Sequence, residues 1–133
     1  MNTLSVAGLL AEARSRVAML AMADAPERLT DPRYVFIDVR ELHEVSTGMI
    51  PGARHAPRSN LEWLLDSSSD RHEQLFPQGK TFVFVCGSGG RASLSARLAS
   101  EFGLQAMWLE GGMKAWRAAG RPVTGESTGQ PEF

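Results

Sequence analysis

The sequence has 133 residues, and its 14 Lys and Arg against 15 Asp and Glu leave a formal net charge of −1 at pH 7. A chain of this length fits one domain around a single hydrophobic core. The small net charge supplies no broad positive surface for a nucleic-acid backbone, and an apolar share of 43% is ordinary for a globular chain. We therefore expect one soluble domain that binds neither nucleic acid nor a membrane.

The cysteine and histidine counts limit the chemistry further. The chain has one Cys and three His, so it cannot form an internal disulfide or a Cys-rich zinc site, and the His residues lack ligand spacing. We expect no metal ion, and a reducing compartment such as the cytoplasm.

The N-terminal segment is predicted to be a helix. Its apolar residues recur at helical spacing: Val6, Leu9, Leu10, Ala13, Val17 and Leu20. Charges interrupt this stretch, and its longest apolar run, residues 17–23, is too short to cross a bilayer and lacks the charge order of a secretory signal. The simplest interpretation is a helix that packs on the domain, and the alternative is a helix that forms a homodimer.

Beyond this segment, strands and helices are predicted to alternate. Short apolar runs rich in β-formers predict strands at 34–39, 54–56, 81–85 and 106–109. Helical patterns lie at 41–46, at the LEWLL segment after a capping Asn60, at 91–102 and at KAWRAAG before Gly120. Such alternation predicts an α/β domain with a parallel sheet and helices on both faces. The residues from Thr124 onward are predicted to be a loose tail.

The only cysteine, Cys86, follows the clearest strand and begins the loop CGSGGR, which ends at Arg91. In open parallel sheets, ligands bind beyond the carboxyl ends of the strands, where the N-termini of the following helices also lie. The three loop glycines, Gly87, Gly89 and Gly90, allow positive φ angles and an amide cradle above the sulfur. Amides, a helix N-terminus and an arginine stabilise a thiolate and lower a cysteine pKa from about 8.5 to roughly 3.5–7.5. We therefore expect Cys86 to be a nucleophile or sulfur carrier.

Two other interpretations of this loop are less consistent with its residues. A cysteine that only fills the core does not need three glycines and an arginine in the next five positions. A nucleotide-binding loop would end in Gly-Lys-Ser or Gly-Lys-Thr, and this loop has no lysine.

Four stretches together resemble the rhodanese family of sulfurtransferases, in the order and spacing of that family. They are IDVRE at 37–41, GMIPGARHAP at 48–57, CGSGGR at 86–91 and LEGGMKAWRAAGRPV at 109–123. The resemblance covers roughly residues 20–123, so we divide the chain into an N-terminal helical extension at 1–16, a rhodanese-like domain at 17–123 and a tail at 124–133. It implies a compact α/β domain around a parallel five-stranded sheet.

The resemblance also implies a reaction and its residues. Cys86 would attack the outer sulfur of thiosulfate, release sulfite, and pass the sulfur of its persulfide to cyanide or a thiol. The backbone amides of Gly87, Ser88, Gly89 and Gly90 would hold the charge, and Arg91 would bind the anionic donor. No metal or organic cofactor is implied, because the covalent sulfur is itself the transferred group.

The identity of the donor is open. The beginning of the loop, Cys86-Gly87-Ser88-Gly89, resembles the mercaptopyruvate-specific branch of the family, whereas its end, Gly90-Arg91, is similar to small thiosulfate-type members. Thiosulfate is the donor that we expect. A protein partner that hands over or accepts the sulfur is also consistent with the family.

The chain departs from the family pattern at three places. Met49 replaces the usual His, an extra helix precedes residue 17, and Ala92 stands where a Ser often follows the loop arginine. We expect the loss of that Ser to weaken the cap of the following helix.

Further residues are predicted to support or pack around the site. Asp38 and Arg40 lie at the carboxyl end of a strand, and we expect them to form an ion pair or loop anchor, with contact to substrate as the alternative. Arg54, His55 and Arg58 add positive charge near the pocket in this hypothesis, and Glu62 closes its rim. We expect Gly111 and Gly112 to allow close backbone approach and Trp116 to fill the core.

Two alternative functions remain at this point. One is a rhodanese-like module that only binds partners, although this chain retains the cysteine and a complete loop. The other is a cysteine phosphatase or arsenate reductase, whose loop also runs from Cys to Arg. Here four residues separate Cys86 from Arg91, against five in the phosphatase loops, and we expect the smaller ring to be too tight for a tetrahedral phosphate or arsenate.

Overall fold

The computed structural model describes residues 4–124, so residues 125–133 of the predicted tail at 124–133 lie outside this range. Five strands form one sheet in the order β1-β5-β4-β2-β3, and every neighbouring pair is parallel. The strands are β1 Ala18–Leu20, β2 Tyr34–Asp38, β3 Arg54–His55, β4 Thr81–Val85 and β5 Gln105–Leu109. The predicted parallel five-stranded sheet is confirmed.

Seven α-helices connect or cover these strands within the described residues. They are α1 Val6–Arg16, α2 Ala25–Leu29, α3 Leu42–Val45, α4 Leu61–Leu65, α5 His72–Leu75, α6 Gly90–Glu101 and α7 Gly112–Ala118. Short 3₁₀ turns at Met22–Asp24 and Arg58–Asn60 lead into α2 and α4. Asn60 stands before α4 as predicted, but its side chain makes no capping hydrogen bond.

Alternate residues of the central strand β4 pack on opposite faces of the sheet, as the period of a strand requires. Phe82 and Phe84 belong to a core cluster with residues of α4, α5 and α6. Val83 and Val85 belong to a second cluster with residues of α2 and α7. Both faces of the sheet are therefore covered by helices, as the alternation of elements predicted.

The first strand was not predicted, because its residues continue the apolar spacing of the N-terminal helix. The helix ends at Arg16, and Val17 has an extended backbone with φ −129° and ψ 149°. Residues 18–20 then pair with Met107–Leu109 of β5, and Leu20 is 2% exposed. The backbone bonds of this pairing, which involve residues distant in sequence, replace those that a longer helix would form.

The beginning of the predicted loose tail is held by a strand-like pair. The N–H of Thr124 donates to the Met49 carbonyl at 2.9 Å, and the Met49 N–H donates to the Thr124 carbonyl at 3.1 Å. Thr124 is therefore not loose. Because both bonds are made by backbone atoms, the Met that replaces the family's usual His does not prevent them.

Two features of residues 4–124 bear on the functional classes considered above. No helix in that range is long and apolar enough to span a bilayer. No group of three His, Cys, Asp or Glu side chains in the same range is placed to hold a metal ion.

Candidate active site

Cys86 lies directly after β4, at the carboxyl end of the strand that occupies the middle of the sheet. Its neighbours in the sheet are β2 and β5, whose carboxyl ends lie at the same edge because all strands are parallel. Cys86 is a free thiol and is 1% exposed. A reagent must therefore present a small atom to reach the sulfur.

Two backbone amides donate hydrogen bonds to the Cys86 sulfur. The Gly89 N–H lies 3.1 Å from Sγ, and the Ala92 N–H lies 3.3 Å from it. Ala92 is in the first turn of α6, a helix of 12 residues, so the sulfur also faces the positive end of the helix dipole. Both features place partial positive charge beside the sulfur.

One of the two residues that donate these hydrogen bonds was not predicted from the sequence. The cradle was predicted from Gly87 to Arg91, and the Ala92 amide lies one residue beyond it. Ala92 is fully buried inside the first turn, and Gly89 is the N-cap, so the side chain at position 92 is not the cap. The predicted weakening of the cap was therefore wrong.

Only one of the three loop glycines has the backbone that requires glycine. Gly89 has a φ of +125°, whereas Gly87 and Gly90 have φ angles that other residues also adopt. A β-carbon at Gly89 would lie 3.2 Å from the Trp108 ring. Gly89 thus serves both the turn and the close contact with Trp108, and the prediction of positive φ holds for this glycine alone.

The beginning of α7 holds the loop from the other side. The Met113 N–H donates to the Cys86 carbonyl at 2.8 Å, and the Lys114 N–H donates to the Gly87 carbonyl at 2.9 Å. Gly112 allows this approach, because a β-carbon there would lie 2.3 Å from the Cys86 oxygen. The close approach predicted for the Gly-Gly pair is confirmed, and its partner is the cysteine loop itself. Trp116 is buried, as predicted.

Arg91 forms an ion pair with Glu44 of α3, a partner that the sequence analysis did not identify. Its Nη1 and Nη2 donate to the two carboxylate oxygens at 2.6 and 2.9 Å. This contact is the main reason that the pKa of Glu44 falls from 4.5 to about 2, and it raises the pKa of Arg91. The stability that the pair contributes is therefore fully present above about pH 4.5 and is lost as the pH falls toward 2.

Asp38 and Arg40 form the ion pair that the sequence predicted, and both are buried. Arg40 Nη2 lies 2.9 Å from an Asp38 carboxylate oxygen and donates to the Gly48 carbonyl at 2.7 Å. Arg40 Nη1 also donates to the Glu44 carbonyl at 3.3 Å. The pair therefore anchors the segment that carries Glu44.

The remaining charged candidates are engaged with other protein groups. Arg58 and Glu62, which are four residues apart, form an ion pair with Arg58 Nη1 2.9 Å from Glu62 Oε1, and both side chains are partly exposed. Arg54 donates to the Gln74 carbonyl, and His55 Nε2 lies 2.8 Å from the Arg40 carbonyl oxygen. Of these four, His55 contacts the segment that anchors Glu44, whereas Arg54 contacts α5.

This arrangement of a cysteine loop on a parallel sheet can be compared with known proteins. Residues 21–119 match the family described as the rhodanese-like domain. The chain belongs to the rhodanese-like family. The match begins at residue 21, after α1 and β1.

Three relatives place this rhodanese-like chain among its neighbours. It is 35% identical over 92 residues to the Bacillus subtilis protein "Putative sulfurtransferase YtwF". The aligned region covers 69% of this chain and 82% of that protein. A solved structure from Rhodopseudomonas palustris, a protein of unknown function described as "Possible Tyrosine Phosphatase", is 35% identical with a TM-score of 0.84, covering 92% of this chain and 96% of that one. The polysulfide-sulfur transferase homodimer of Wolinella succinogenes is 29% identical with a TM-score of 0.67, covering 87% and 84%.

Proposed function

We propose that this rhodanese-like protein is a sulfurtransferase that moves a sulfane sulfur from thiosulfate, or a similar small anion, to a thiol or cyanide through a persulfide on Cys86. The observation that carries this proposal is that the Cys86 sulfur lies at the sheet edge and accepts hydrogen bonds from the Gly89 and Ala92 amides at 3.1 and 3.3 Å. These donors stabilise negative charge on the thiolate before the reaction. The same donors remain beside the sulfur when it carries a persulfide.

The reaction takes two displacement steps at sulfur. The Cys86 thiolate attacks the outer sulfur of thiosulfate, a new S–S bond forms, and the S–S bond of the donor breaks as sulfite leaves with the electron pair. Cyanide or a thiolate then attacks the outer sulfur of the persulfide, and the Cys86 thiolate leaves. Neither step needs an oxidant, a reductant or a metal, because the sulfur itself is the transferred group.

Two further observations support sulfur chemistry at this site. The burial of Cys86, which is 1% exposed, favours a donor whose reacting atom is small and terminal. The Bacillus subtilis and Wolinella succinogenes relatives are both named for sulfur transfer. We also propose that the acceptor of the sulfur is a thiol, either of a small molecule or of a protein. Residues 17–123 form the catalytic domain in this proposal.

Hydrolysis of a phosphate ester is the second candidate, because the Rhodopseudomonas palustris neighbour is described as a possible tyrosine phosphatase. The loop argues against it here, since four residues lie between Cys86 and Arg91, and the smaller ring of amides is too tight for a tetrahedral phosphate. We therefore expect no substantial cleavage of p-nitrophenyl phosphate by the parent protein.

The mass of the intact protein tests the proposed persulfide directly. After incubation with thiosulfate and removal of the donor, we expect the mass of the protein to increase by one sulfur atom, and cyanide to restore the original mass. The same experiment with mercaptopyruvate identifies the preferred donor. A protein that gains no sulfur from either donor, or one whose added sulfur is not removed by cyanide, would contradict the mechanism.

Arg91 is predicted to affect the binding of the donor. Arg91→Ala should raise the Michaelis constant for thiosulfate about tenfold, the size of one charge-assisted hydrogen bond, because the guanidinium is at the end of the loop and its Nη2 would lie 3.5 Å from a β-carbon at Gly87. Arg91→Lys, which keeps the charge but not the planar fork, should give a smaller increase. Thermal unfolding of all three proteins serves as the control. Equal Michaelis constants in the three proteins would assign Arg91 to the ion pair with Glu44 alone.

A further inference from the structure

Arg14 connects the N-terminal helix to the cysteine loop, although it lies outside the family match at 21–119. It is on α1, which packs along α6, and its side chain reaches the beginning of that helix. One face of the side chain remains exposed. Its effect on the loop must therefore come from directed contacts, because solvent screens the charge of an exposed side chain.

The first contact is a chain of two hydrogen bonds to Gly89. Arg14 Nε donates to Ser93 Oγ at 3.0 Å, and the same Oγ donates to the Gly89 carbonyl at 2.7 Å. Ser93 is fully buried, so its hydroxyl has a fixed environment. The Gly89 carbonyl also accepts a hydrogen bond from the Ser93 N–H at 3.0 Å. The carbonyl oxygen therefore accepts two hydrogen bonds, one from the Ser93 backbone and one from the Ser93 hydroxyl.

The second contact is with the tryptophan that packs on Gly89. The Arg14 guanidinium carbon lies 4.5 Å from the centre of the Trp108 ring. A β-carbon at Gly89 would lie 3.2 Å from the same ring and 3.7 Å from Arg14 Nη2. Within residues 4–124 the indole N–H of Trp108 has no acceptor, so packing and the stacked guanidinium position the ring.

We propose that Arg14 is a positioning residue for the sulfur site: through Ser93 and Trp108 it fixes Gly89, whose N–H donates to Cys86 Sγ. Gly89 is the point where both contacts meet, and it is the loop residue with a φ of +125°. The Gly89 N–H belongs to the peptide before this residue, and the carbonyl belongs to the peptide after it. Holding the carbonyl and the outer face of Gly89 therefore restricts the rotations about φ and ψ that would turn the donating amide away from the sulfur. The inference rests on the proposed function for its effect on turnover, but not for its effect on the loop.

Hydrogen exchange at single amides, followed by NMR, measures this positioning without any substrate. In Arg14→Ala we expect the Gly89 amide to exchange at least tenfold faster, while amides in the middle of α6, such as that of Ala96, keep the parent rate. Arg16→Ala is the matched control, because Arg16 is on the same helix and pairs with Glu12. A merely structural role of Arg14 would instead accelerate exchange along the whole of α6 and lower the melting temperature.

A double-mutant cycle tests the route through Ser93. If Arg14 acts through that hydroxyl, Ser93→Ala should also accelerate exchange at Gly89, and the double variant should show less than the product of the two effects. Fully multiplicative effects would exclude the Ser93 route. Unchanged exchange at Gly89 in Arg14→Ala would overturn the proposal as a whole.

Kinetics then relate the positioning to the proposed reaction. With thiosulfate and cyanide, Arg14→Ala should lower kcat about fivefold to tenfold with little change in the Michaelis constant, because Arg14 acts on the sulfur's amide donor and not on the donor anion. If the parent transfers no sulfur from thiosulfate or mercaptopyruvate, the proposed function fails, and the exchange experiment still decides the role of Arg14. If the parent is active and exchange at Gly89 changes without an effect on kcat, Arg14 positions the loop, but the proposed effect of that positioning on turnover is wrong.

Discussion

Cys86→Ser should abolish the transfer of sulfur from thiosulfate to cyanide and leave the protein folded. The chain has no other cysteine, so no other thiol can carry the persulfide, and a serine hydroxyl is not a nucleophile for sulfane sulfur at neutral pH. The substitution changes the side chain by one atom in a fully packed position. Thiocyanate production and the mass of the donor-treated protein measure the loss.

The fold should survive because the new oxygen has hydrogen-bond donors in place. The Gly89 and Ala92 amides, which donate to the sulfur in the parent, can donate to a hydroxyl oxygen, so the amides and the buried oxygen keep hydrogen-bond partners. Cys86→Ala, which has no acceptor for these amides, is the matched control and should be the less stable of the two variants. Turnover by purified Cys86→Ser above the rate without protein would exclude Cys86 as the sulfur carrier.

Gly112→Ala should destabilise the protein by about 3 kcal/mol or more and lower the activity of the molecules that remain folded. The residue has a φ of +57°, and a β-carbon would lie 2.3 Å from the Cys86 oxygen and 2.7 Å from the Gly87 oxygen. Backbone atoms cannot give way as a flexible side chain can. Either the loop or α7 must move, and the bonds from Met113 and Lys114 to the loop would be disturbed.

Gly120→Ala is the matched control for this substitution. Gly120 has a φ of +72°, similar to that of Gly112, but a β-carbon there would have no atom within 4 Å. This variant should lose about 1–2 kcal/mol, the cost of a left-handed backbone for an L side chain, and keep full activity per folded molecule. Denaturant unfolding and specific activity distinguish the two. Equal losses in both variants would mean that backbone strain alone, and not contact with the loop, explains the role of Gly112.

The sequence by itself determined the elements whose local pattern and tertiary role agree. The segment TFVFV predicted β4 because five β-forming residues stand between turn residues, and the structure has the strand at the same residues, 81–85. The position of Cys86 at the carboxyl end of a parallel strand followed from that strand and from the alternation of elements. The Asp38–Arg40 pair also followed, because its members are two residues apart.

Local pattern misled where two structures fit the same residues. The spacing of apolar residues through Leu20 is helical, but Leu20 is at the end of β1, where pairing with β5 buries it. No signal within residues 17–20 shows that a free sheet edge lies beside them. Asn60 is a similar case, because the 3₁₀ turn before α4 replaces the expected side-chain cap.

The tertiary structure alone decided which groups surround the cysteine loop. Glu44 lies 47 residues from Arg91, and Arg14 lies 79 residues from Ser93, and no local pattern relates residues at such separations. They meet because α3 follows the strand next to β4, and because α1 packs along α6. The sequence thus determined the position of Cys86 and the edge of the sheet where it lies. Packing between elements determined which charge pairs with Arg91 and which residues fix Gly89, because those contacts exist only once the helices are placed on the sheet.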